Sequence, residues 1–260
     1  MAGISIASQM SRGKKHLGKR YKANKFIAYF QSFSNTYAPV EKLKSLYDEA
    51  LQTEDVVGLS IGTRPDCVNS SIIDLVADYA KKRMTWMEYG LQTVHDKTLA
   101  LLNRGHDFAR FEKAVASTKN RGIKICAHVI LGLPYETKKD MLETAEKVAD
   151  MGIDGVKLHL LYVIKGTRLE RMLNRGEYEC LSQRRYLNIL CDFLERLPPD
   201  MIIQRLTGEP HQDELAAPMW ALKKRETLAM IDETLEKRDS WQGKVYNVKN
   251  IGKPGDKRGL

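Results

Sequence analysis

The sequence has few cysteines, no long apolar segment and no sign of a secretion signal. None of its four cysteines, Cys67, Cys126, Cys180 and Cys191, belongs to a CxxC pair, which argues against a disulfide framework and a structural zinc site. No apolar run approaches the roughly 20 residues that a membrane-spanning helix needs. The first twenty residues are basic and polar. We therefore expect a cytoplasmic protein with reduced thiols.

Two common nucleotide-binding motifs are also missing. The sequence has neither the glycine fingerprint of a Rossmann fold after its first predicted strand nor a Walker A loop. Its 260 residues, 43% of them hydrophobic and 29% charged, are typical of a globular protein with a sizeable core.

Short β-rich apolar runs alternate with segments of helical periodicity. The predicted strands are 26–30, 56–61, 85–91, 124–131, 155–163 and 201–206. This alternation favours an α/β fold in which a parallel sheet is covered by helices. Because the dinucleotide motifs are missing, a partial barrel fits better than a doubly wound sheet, and its chemistry would lie at the C-terminal ends of the strands.

The segments outside the strands suggest a division of the chain. Residues 219–237 are predicted to form a final amphipathic helix, and a polar, Gly-rich tail follows from Asp239. We predict a basic N-terminal segment (1–24), a partial barrel (25–206), a C-terminal helical extension (207–238) and a polar tail (239–260).

The positive charge is unevenly distributed. The chain has 42 Lys and Arg against 33 Asp and Glu, a formal net charge of +9. Residues 12–25 contain seven of these cations and no acid. Such a cluster can bind phosphate backbones, or it can be a solvated basic face.

Polar side chains lie within or directly after five of the predicted strands. They lie at 31–36, 62–67 and 88–93, at His128 with 132–134, and at His159 with 165–167. Each has a structural explanation, such as a local Arg64–Asp66 salt bridge or a core histidine. Because the C-terminal ends of parallel strands share one edge, the five together favour an active site. Arg64 and Lys165 suit a carboxylate or phosphate, whereas Glu88 and Gln92 suit hydroxyls or an amine.

In this order, five motifs resemble those of the radical SAM superfamily. They are GTRPDC (62–67), EYGLQT (88–93), NRGH (103–106), HVILGLP (128–134) and VIKGT (163–167). The resemblance covers about residues 25–235. It is strongest to the YhcC-like bacterial branch, and it extends to the radical SAM barrel of the elongator catalytic subunit and to oxygen-independent coproporphyrinogen oxidase.

The resemblance implies a partial TIM-type (β/α)6 barrel, S-adenosylmethionine and a [4Fe-4S] cluster held by three cysteines. It implies reductive cleavage of S-adenosylmethionine to a 5′-deoxyadenosyl radical, with an electron donor such as flavodoxin or ferredoxin. The positions that match the family's cofactor-binding motifs are Gln31, Ser34, Thr36, Arg64, Asp66, Glu88, Gln92, His128, Gly132, Pro134 and Lys165.

One feature of the superfamily is missing from this sequence. None of the four cysteines has the CxxxCxxC-like spacing of the cluster motif. We expect the first barrel strand and its cysteine loop to lie upstream of Met1, so that the chain is a truncated form. An exposed strand edge would then favour self-association.

Two functions stay open at this point. The first is a radical SAM enzyme with an unknown substrate, for which the elongator resemblance and the basic segment suggest tRNA. The second is a non-catalytic barrel that binds RNA or a partner protein, which the missing cysteine motif favours.

Overall fold

A computed structural model describes residues 4–246. The helices are α1 (Ile6–Tyr21), α2 (Val40–Leu51), α3 (Ser70–Ala80), α4 (Asp96–Leu101), α5 (Phe108–Thr118), α6 (Lys138–Asp150), α7 (Arg168–Asn174), α8 (Gln183–Leu194) and α9 (Lys224–Lys237). The strands are β1 (Phe26–Phe30), β2 (Val56–Thr63), β3 (Met84–Gln92), β4 (Lys124–Leu131), β5 (Gly155–Leu160), β6 (Val163–Ile164), β7 (Ile202–Arg205) and β8 (Leu215–Ala217). Within these residues, no helix is both long and apolar enough to cross a membrane.

Six strands form one sheet in the order β1-β2-β3-β4-β5-β7. The pairs β1–β2, β2–β3 and β5–β7 are parallel. At least one helix separates each pair of neighbours along the chain, as parallel crossovers require. The order and direction of these strands confirm the predicted α/β class and are those of a partial (β/α) barrel.

Contacts within the chain define two compact units. Unit 1 comprises Met1–Leu91 and Phe108–Ala127, and unit 2 comprises Gln92–Asp107 and His128–Leu260. Unit 1 has 18 Lys and Arg against 10 Asp and Glu, whereas unit 2 has 24 against 23. Nearly all of the net positive charge therefore belongs to unit 1.

Aromatic side chains occupy the core of unit 1. Tyr47, Tyr89 and Phe111 are fully buried. Tyr47 packs edge-on against Phe30, with ring centroids 5.1 Å apart, and Tyr89 packs edge-on against Phe111 at 6.3 Å. The Tyr89 hydroxyl shares a 2.8 Å hydrogen bond with Thr118, so its polar end is satisfied inside the core.

The core of unit 2 is built around α6 and α8. On α8, Tyr186 and Phe193 are fully buried, and the Tyr186 hydroxyl donates to the Leu206 carbonyl oxygen at 2.6 Å. A capping box of Thr137 and Asp140 begins α6, because each side chain accepts a hydrogen bond from the other residue's backbone N–H.

The strand predicted at 155–163 is shorter in the structure. β5 ends at Leu160, and Val163 belongs to the separate antiparallel pair β6–β8, where it lies opposite Ala217. The apolar run was therefore misread as one strand, because sequence periodicity does not show which partner each residue meets.

The C-terminal region also differs from the prediction. The final helix begins at Lys224, after a 3₁₀ turn at Met219–Leu222, and not at residue 219. The first residues beyond α9 are not loose: the Gly243 N–H donates to the Leu194 carbonyl oxygen at 3.1 Å, and the Val245 N–H donates to that of Glu195 at 2.8 Å. The remainder of the predicted tail, 247–260, lies outside the described residues.

We predict that Gly58→Ala destabilises unit 1. A β-carbon at Gly58 on β2 would lie 2.7 Å from the Met84 carbonyl oxygen on β3, and that oxygen belongs to the strand backbone. Relieving this overlap should lower the free energy of unfolding by about 1–3 kcal/mol in urea denaturation.

Gly13→Ala is the matched control. Nothing lies within 4 Å of a β-carbon built at Gly13, which is inside α1. Because alanine favours the helix interior by about 1 kcal/mol over glycine, this variant should be neutral or stabilising. Equal losses in both variants would contradict the steric explanation for Gly58.

Candidate functional site

Polar side chains of unit 1 share one face of the sheet. Tyr29 pairs with Ser60 across β1 and β2, and Gly62 pairs with Glu88 across β2 and β3. Paired residues of parallel strands project to the same side, as do residues two apart along a strand. The register therefore places Tyr29, Ser60 and Glu88 together.

Glu88 is a buried carboxyl group, with only 3% of the residue exposed. The Tyr29 hydroxyl donates to its Oε2 at 2.9 Å, and the Ser60 hydroxyl donates to its Oε1. Burying a carboxylate is costly unless hydrogen bonds replace its hydration, and these two hydroxyls provide that replacement. They also fix the direction of the carboxyl group, which has about four acceptor positions and so can also bind a ligand donor.

The loop after β1 is tied to the end of β2. Thr36 is buried; its Oγ1 lies 2.6 Å from the Thr63 Oγ1 and donates to the Cys67 carbonyl oxygen at 2.6 Å. The Asn35 amide donates to the Gly62 carbonyl oxygen at 2.8 Å. Thr36, a predicted cofactor contact, therefore has a structural role in joining the two loops.

The other predicted residues of these loops differ in exposure. Gln31 is exposed, whereas Ser34 is half-buried. Arg64 and Asp66 bind each other through two parallel hydrogen bonds, Nε to Oδ1 at 2.9 Å and Nη2 to Oδ2. This is the local salt bridge that the sequence allowed as a structural explanation.

In unit 2, Gln92 adopts a strained backbone conformation. Its φ is +73°, a region that favours glycine and costs other residues about 1–3 kcal/mol. The next residue, Thr93, is buried; its Oγ1 accepts from the His95 N–H at 3.3 Å and lies 3.4 Å from the Thr144 Oγ1. These contacts hold the turn that presents Gln92.

Glu136 belongs to the same network. Burial raises the pKa of Glu136, although hydrogen bonds from Thr93 and Thr98 and the nearby His95 act in the opposite direction. Its Oε1 is buried without a hydrogen-bond partner within the part of the chain that the structure describes. The carboxyl group is therefore poorly compensated when it is ionised.

Two histidines of unit 2 lie side by side. The rings of His128 on β4 and His159 on β5 have centroids 5.7 Å apart and planes inclined by 38°. Lys157, two residues before His159, projects to the same side of β5 and is buried. The structure thus brings together His128 and His159, which both belong to the predicted clusters, and places Lys157, which sequence analysis did not single out, on the His159 side of β5.

Gly132 and Pro134 are buried after β4. Gly132 has φ +89°, and a β-carbon there would lie 3.0 Å from the Leu181 side chain. Its N–H points to the Met141 sulfur at 3.2 Å, and its carbonyl oxygen accepts from the Tyr178 hydroxyl at 2.9 Å. These protein contacts explain the glycine without a ligand.

Lys165 does not lie at the end of a strand of the six-stranded sheet. It is exposed in the turn after β6, and its Nζ donates to the Asp213 carbonyl oxygen at 2.9 Å. The expectation that it continues the fifth strand was wrong, because that strand ends at Leu160.

Sequence reasoning missed several residues of these clusters, among them Tyr29, Ser60, Glu136 and Lys157. Ser60 is a polar residue inside an apolar run, and Tyr29 is two residues before Gln31, so alternation along the strands could have identified both. Glu136 had no comparable signal, because its neighbours come from distant parts of the sequence.

Comparison with known proteins identifies the family. A model described as the Radical SAM superfamily matches residues 15–148, about half of the chain. The chain belongs to the radical SAM superfamily. A second model, the Radical_SAM C-terminal domain, matches residues 153–237 of this radical SAM protein.

Relatives by sequence include members of the YhcC-like branch. Uncharacterized protein YtqA of Bacillus subtilis is 43% identical over 93% of this chain and 75% of its own length. Protein YhcC of Escherichia coli is 35% identical over 89% of this chain and 74% of its own length. A tRNA uridine(34) acetyltransferase of Methanocaldococcus jannaschii is 32% identical over 52% of this chain, but only 25% of its own length is covered.

The fold agrees with this assignment. The archaeal Methanocaldococcus infernus Elp3 with an N-terminal deletion superposes with a TM-score of 0.73 at 20% identity. The match covers 95% of this chain and 64% of that chain. This likeness confirms the radical SAM barrel fold.

The cysteines do not form a binding site for the superfamily's [4Fe-4S] cluster, which is held by cysteine thiolates. Cys126 and Cys191 are buried, and Cys67 and Cys180 are half-buried. Burial raises the pKa of the Cys180 thiol, and it raises the pKa of Cys191 to about 11, so neither favours the thiolate form.

One group of metal-ligand side chains lies close together in the described chain, and it contains no cysteine. It consists of His95, Asp140 and Glu143. Asp140 is already bound to Thr137 in the cap of α6, and Glu143 is exposed. The residues present in 4–246 therefore do not fit the cluster.

We predict that Glu136→Gln alters the pH dependence of stability. Because the folded-state pKa lies above the ordinary value of 4.5, the folded protein holds this proton more tightly than the unfolded chain does. Stability should therefore fall as pH rises from 4.5 through the folded-state pKa, and the neutral glutamine should remove that loss.

Urea denaturation from pH 4.5 to 8 tests this prediction. The variant should exceed the wild type in free energy of unfolding at neutral pH, with the gap closing towards pH 4.5. Glu112→Gln, an exposed change on α5, should give a curve parallel to that of the wild type. A constant difference between the Glu136 variant and the wild type at every pH would contradict the assignment.

Proposed function

We propose that this chain contributes the S-adenosylmethionine-binding barrel of a radical SAM enzyme that modifies RNA in the cytoplasm, with tRNA as the substrate class. The buried Glu88 carboxyl group, oriented by Tyr29 and Ser60, is the observation that carries the proposal. The two hydroxyls hold this carboxyl group in one direction on the face that it shares with them, as a group that binds a ligand requires.

Glu88 suits the donor groups of S-adenosylmethionine. That cofactor has an ammonium group, two ribose hydroxyls and a cationic sulfonium, all of which favour a fixed carboxylate. The bound cofactor would supply the radical chemistry of the superfamily, whereas Glu88 would orient it. Gln92, in its strained turn, offers an amide with both donor and acceptor atoms.

RNA as the substrate class is supported by charge and by relatives. Unit 1 carries nearly the whole positive excess of the chain. Among the similar proteins, a tRNA uridine(34) acetyltransferase names tRNA as what it acts on. A cationic surface supplies affinity for phosphates, although it does not define the reaction.

We expect Glu88→Gln and Gln92→Ala each to weaken binding of S-adenosylmethionine by about tenfold or more. Glu88→Gln keeps the shape but removes the charge, and Gln92→Ala keeps a β-carbon at the positive φ, so the backbone strain is unchanged. Isothermal titration of the purified chain with S-adenosylmethionine measures the effect, and circular dichroism checks the fold.

Glu112→Gln serves as the control for the loss of one carboxylate from unit 1, and it should bind like the wild type. If both site variants bind S-adenosylmethionine normally, the assignment of Glu88 and Gln92 is wrong.

A second candidate function is a non-catalytic module that binds RNA through α1. The lack of a cluster-binding cysteine set among residues 4–246 favours it. α1 has no buried residue, yet its cations are not equivalent. Lys14 binds the Glu54 carbonyl oxygen and, together with Lys25, pairs with Asp55. These two lysines therefore neutralise one acid, and Lys14, which belongs to α1, also holds that helix in place.

The exposed lysines of α1 are the ones that can contact RNA phosphates. We predict that Lys15→Gln with Lys19→Gln lowers RNA affinity and reduces the slope of log affinity against log salt by about 1.4, since each single-strand phosphate contact contributes about 0.7. Filter binding across a salt series measures this. Lys14→Gln should instead lower thermal stability, and an unchanged salt slope in the double variant would exclude α1 as the RNA surface.

A further inference from the structure

A groove of about 540 Å³ runs along α5 in unit 1. We call it the α5 groove; its lining includes Pro65, Val68, Ser70, Arg110, Lys113 and Ser117. Arg121, just beyond α5, continues the same wall. Among the described residues that line this groove, none is acidic.

Two cations and a serine of the α5 groove lie on one face of the helix. Arg110, Lys113 and Ser117 stand three and four positions apart, which places them on one side of α5. Both basic side chains are exposed. Arg121 pairs with Asp74. Arg110 and Lys113 add two further positive charges to the wall that α5 contributes.

A second groove shows that this charge pattern is not general. The groove along α6 in unit 2 is larger, about 770 Å³, and mixes basic with acidic residues. Its cations include Lys139 and Lys147, and its acids include Glu143 and Asp150. The lining of the α5 groove therefore favours an anion, whereas the mixed lining of the α6 groove does not.

Two aromatic rings are exposed on the loop after β1. Phe33 is 99% exposed at φ +63°, and Tyr37 is 82% exposed. The loop is nevertheless held at two points between them, because Asn35 and Thr36 bind the end of β2 and the turn that follows. Large apolar side chains fixed in solvent are typical of a surface that a ligand covers.

The loop and the groove are continuous through one turn. The Thr36 hydroxyl donates to the carbonyl oxygen of Cys67, the last residue of the 3₁₀ turn Pro65–Cys67. Pro65 of that turn and the adjacent Val68 line the α5 groove. The loop that carries the aromatic side chains and the groove that carries the cations therefore meet at the same turn of unit 1.

We propose that the α5 groove and the aromatic pair Phe33 and Tyr37 bind a single-stranded nucleic acid segment. Cations one helical turn apart in an acid-free groove suit the phosphates of one strand, and aromatic faces stack on unpaired bases. The inference rests on RNA as the substrate class of the proposed function and assigns where that RNA lies. Duplex nucleic acid fits less well, because its bases are already stacked.

Fluorescence anisotropy with a fluorescein-labelled oligouridine tests the surface, using the full chain over a salt series. Arg110→Gln with Lys113→Gln should reduce the slope of log affinity against log salt by about 1.4, because two phosphate contacts are lost. Phe33→Ala with Tyr37→Ala should lower affinity by about tenfold or more but leave the slope unchanged, because stacking carries no charge.

Lys139→Gln with Lys147→Gln removes two exposed cations from the α6 groove and should bind like the wild type. A self-complementary RNA duplex and phosphatidylglycerol vesicles should bind more weakly than oligouridine, and the aromatic variant should not affect them. The thermal unfolding midpoint of each variant checks that the fold is intact.

Three results would overturn the proposal: a salt slope unchanged by the α5 variant, an equal effect of the α6 variant, or a preference for duplex or vesicles.

Titration with S-adenosylmethionine in the same preparations separates this inference from the proposed function. If S-adenosylmethionine binds and oligouridine does not, the RNA surface is wrong. If oligouridine binds at the α5 groove and S-adenosylmethionine does not, the cofactor assignment is wrong.

Discussion

The parallel register of β1, β2 and β3 is the constraint on which the candidate site depends. It aligns Tyr29 with Ser60 and Gly62 with Glu88, so two hydroxyls from neighbouring strands reach one buried carboxyl group. A slip of one residue would move each side chain to the opposite face, leaving the carboxyl group without its donors. The aromatic core behind the sheet fixes this register, because the alternate residues of the same strands are buried there.

In unit 2, a turn with a positive φ, and not strand register, places the polar residues. Gln92 stands at a positive φ, and the hydroxyls of Thr93 and Thr144, with the carboxyl group of Glu136, surround the turn that follows it. Strain of this kind persists only where surrounding contacts determine it. Glu136 is half-buried with too few hydrogen bonds for its ionised form, so this network lowers the stability of the fold at neutral pH.

The two units differ in net charge. Unit 1 combines nearly all of the net positive charge with an acid-free groove and two exposed aromatic side chains. Some of its cations have internal roles, as Lys14 and Lys25 do at Asp55. Counting basic residues therefore overestimates the charge offered to a partner, and their contacts within the fold decide which of them remain effective.

The sequence by itself determined the α/β class, the six strands of the main sheet and the superfamily, because periodicity and local motifs are encoded by neighbouring residues. Glu88 and Gln92 could also be singled out, since they are polar residues within and at the end of an apolar strand. The local Arg64–Asp66 pair was also among the explanations that the sequence allowed. Only the tertiary structure joined Glu88 to Tyr29 and Ser60 and separated Lys165 from the six-stranded sheet. These features depend on which distant segments meet. Burial and hydrogen bonds between such segments stabilise the protein only after the chain has packed.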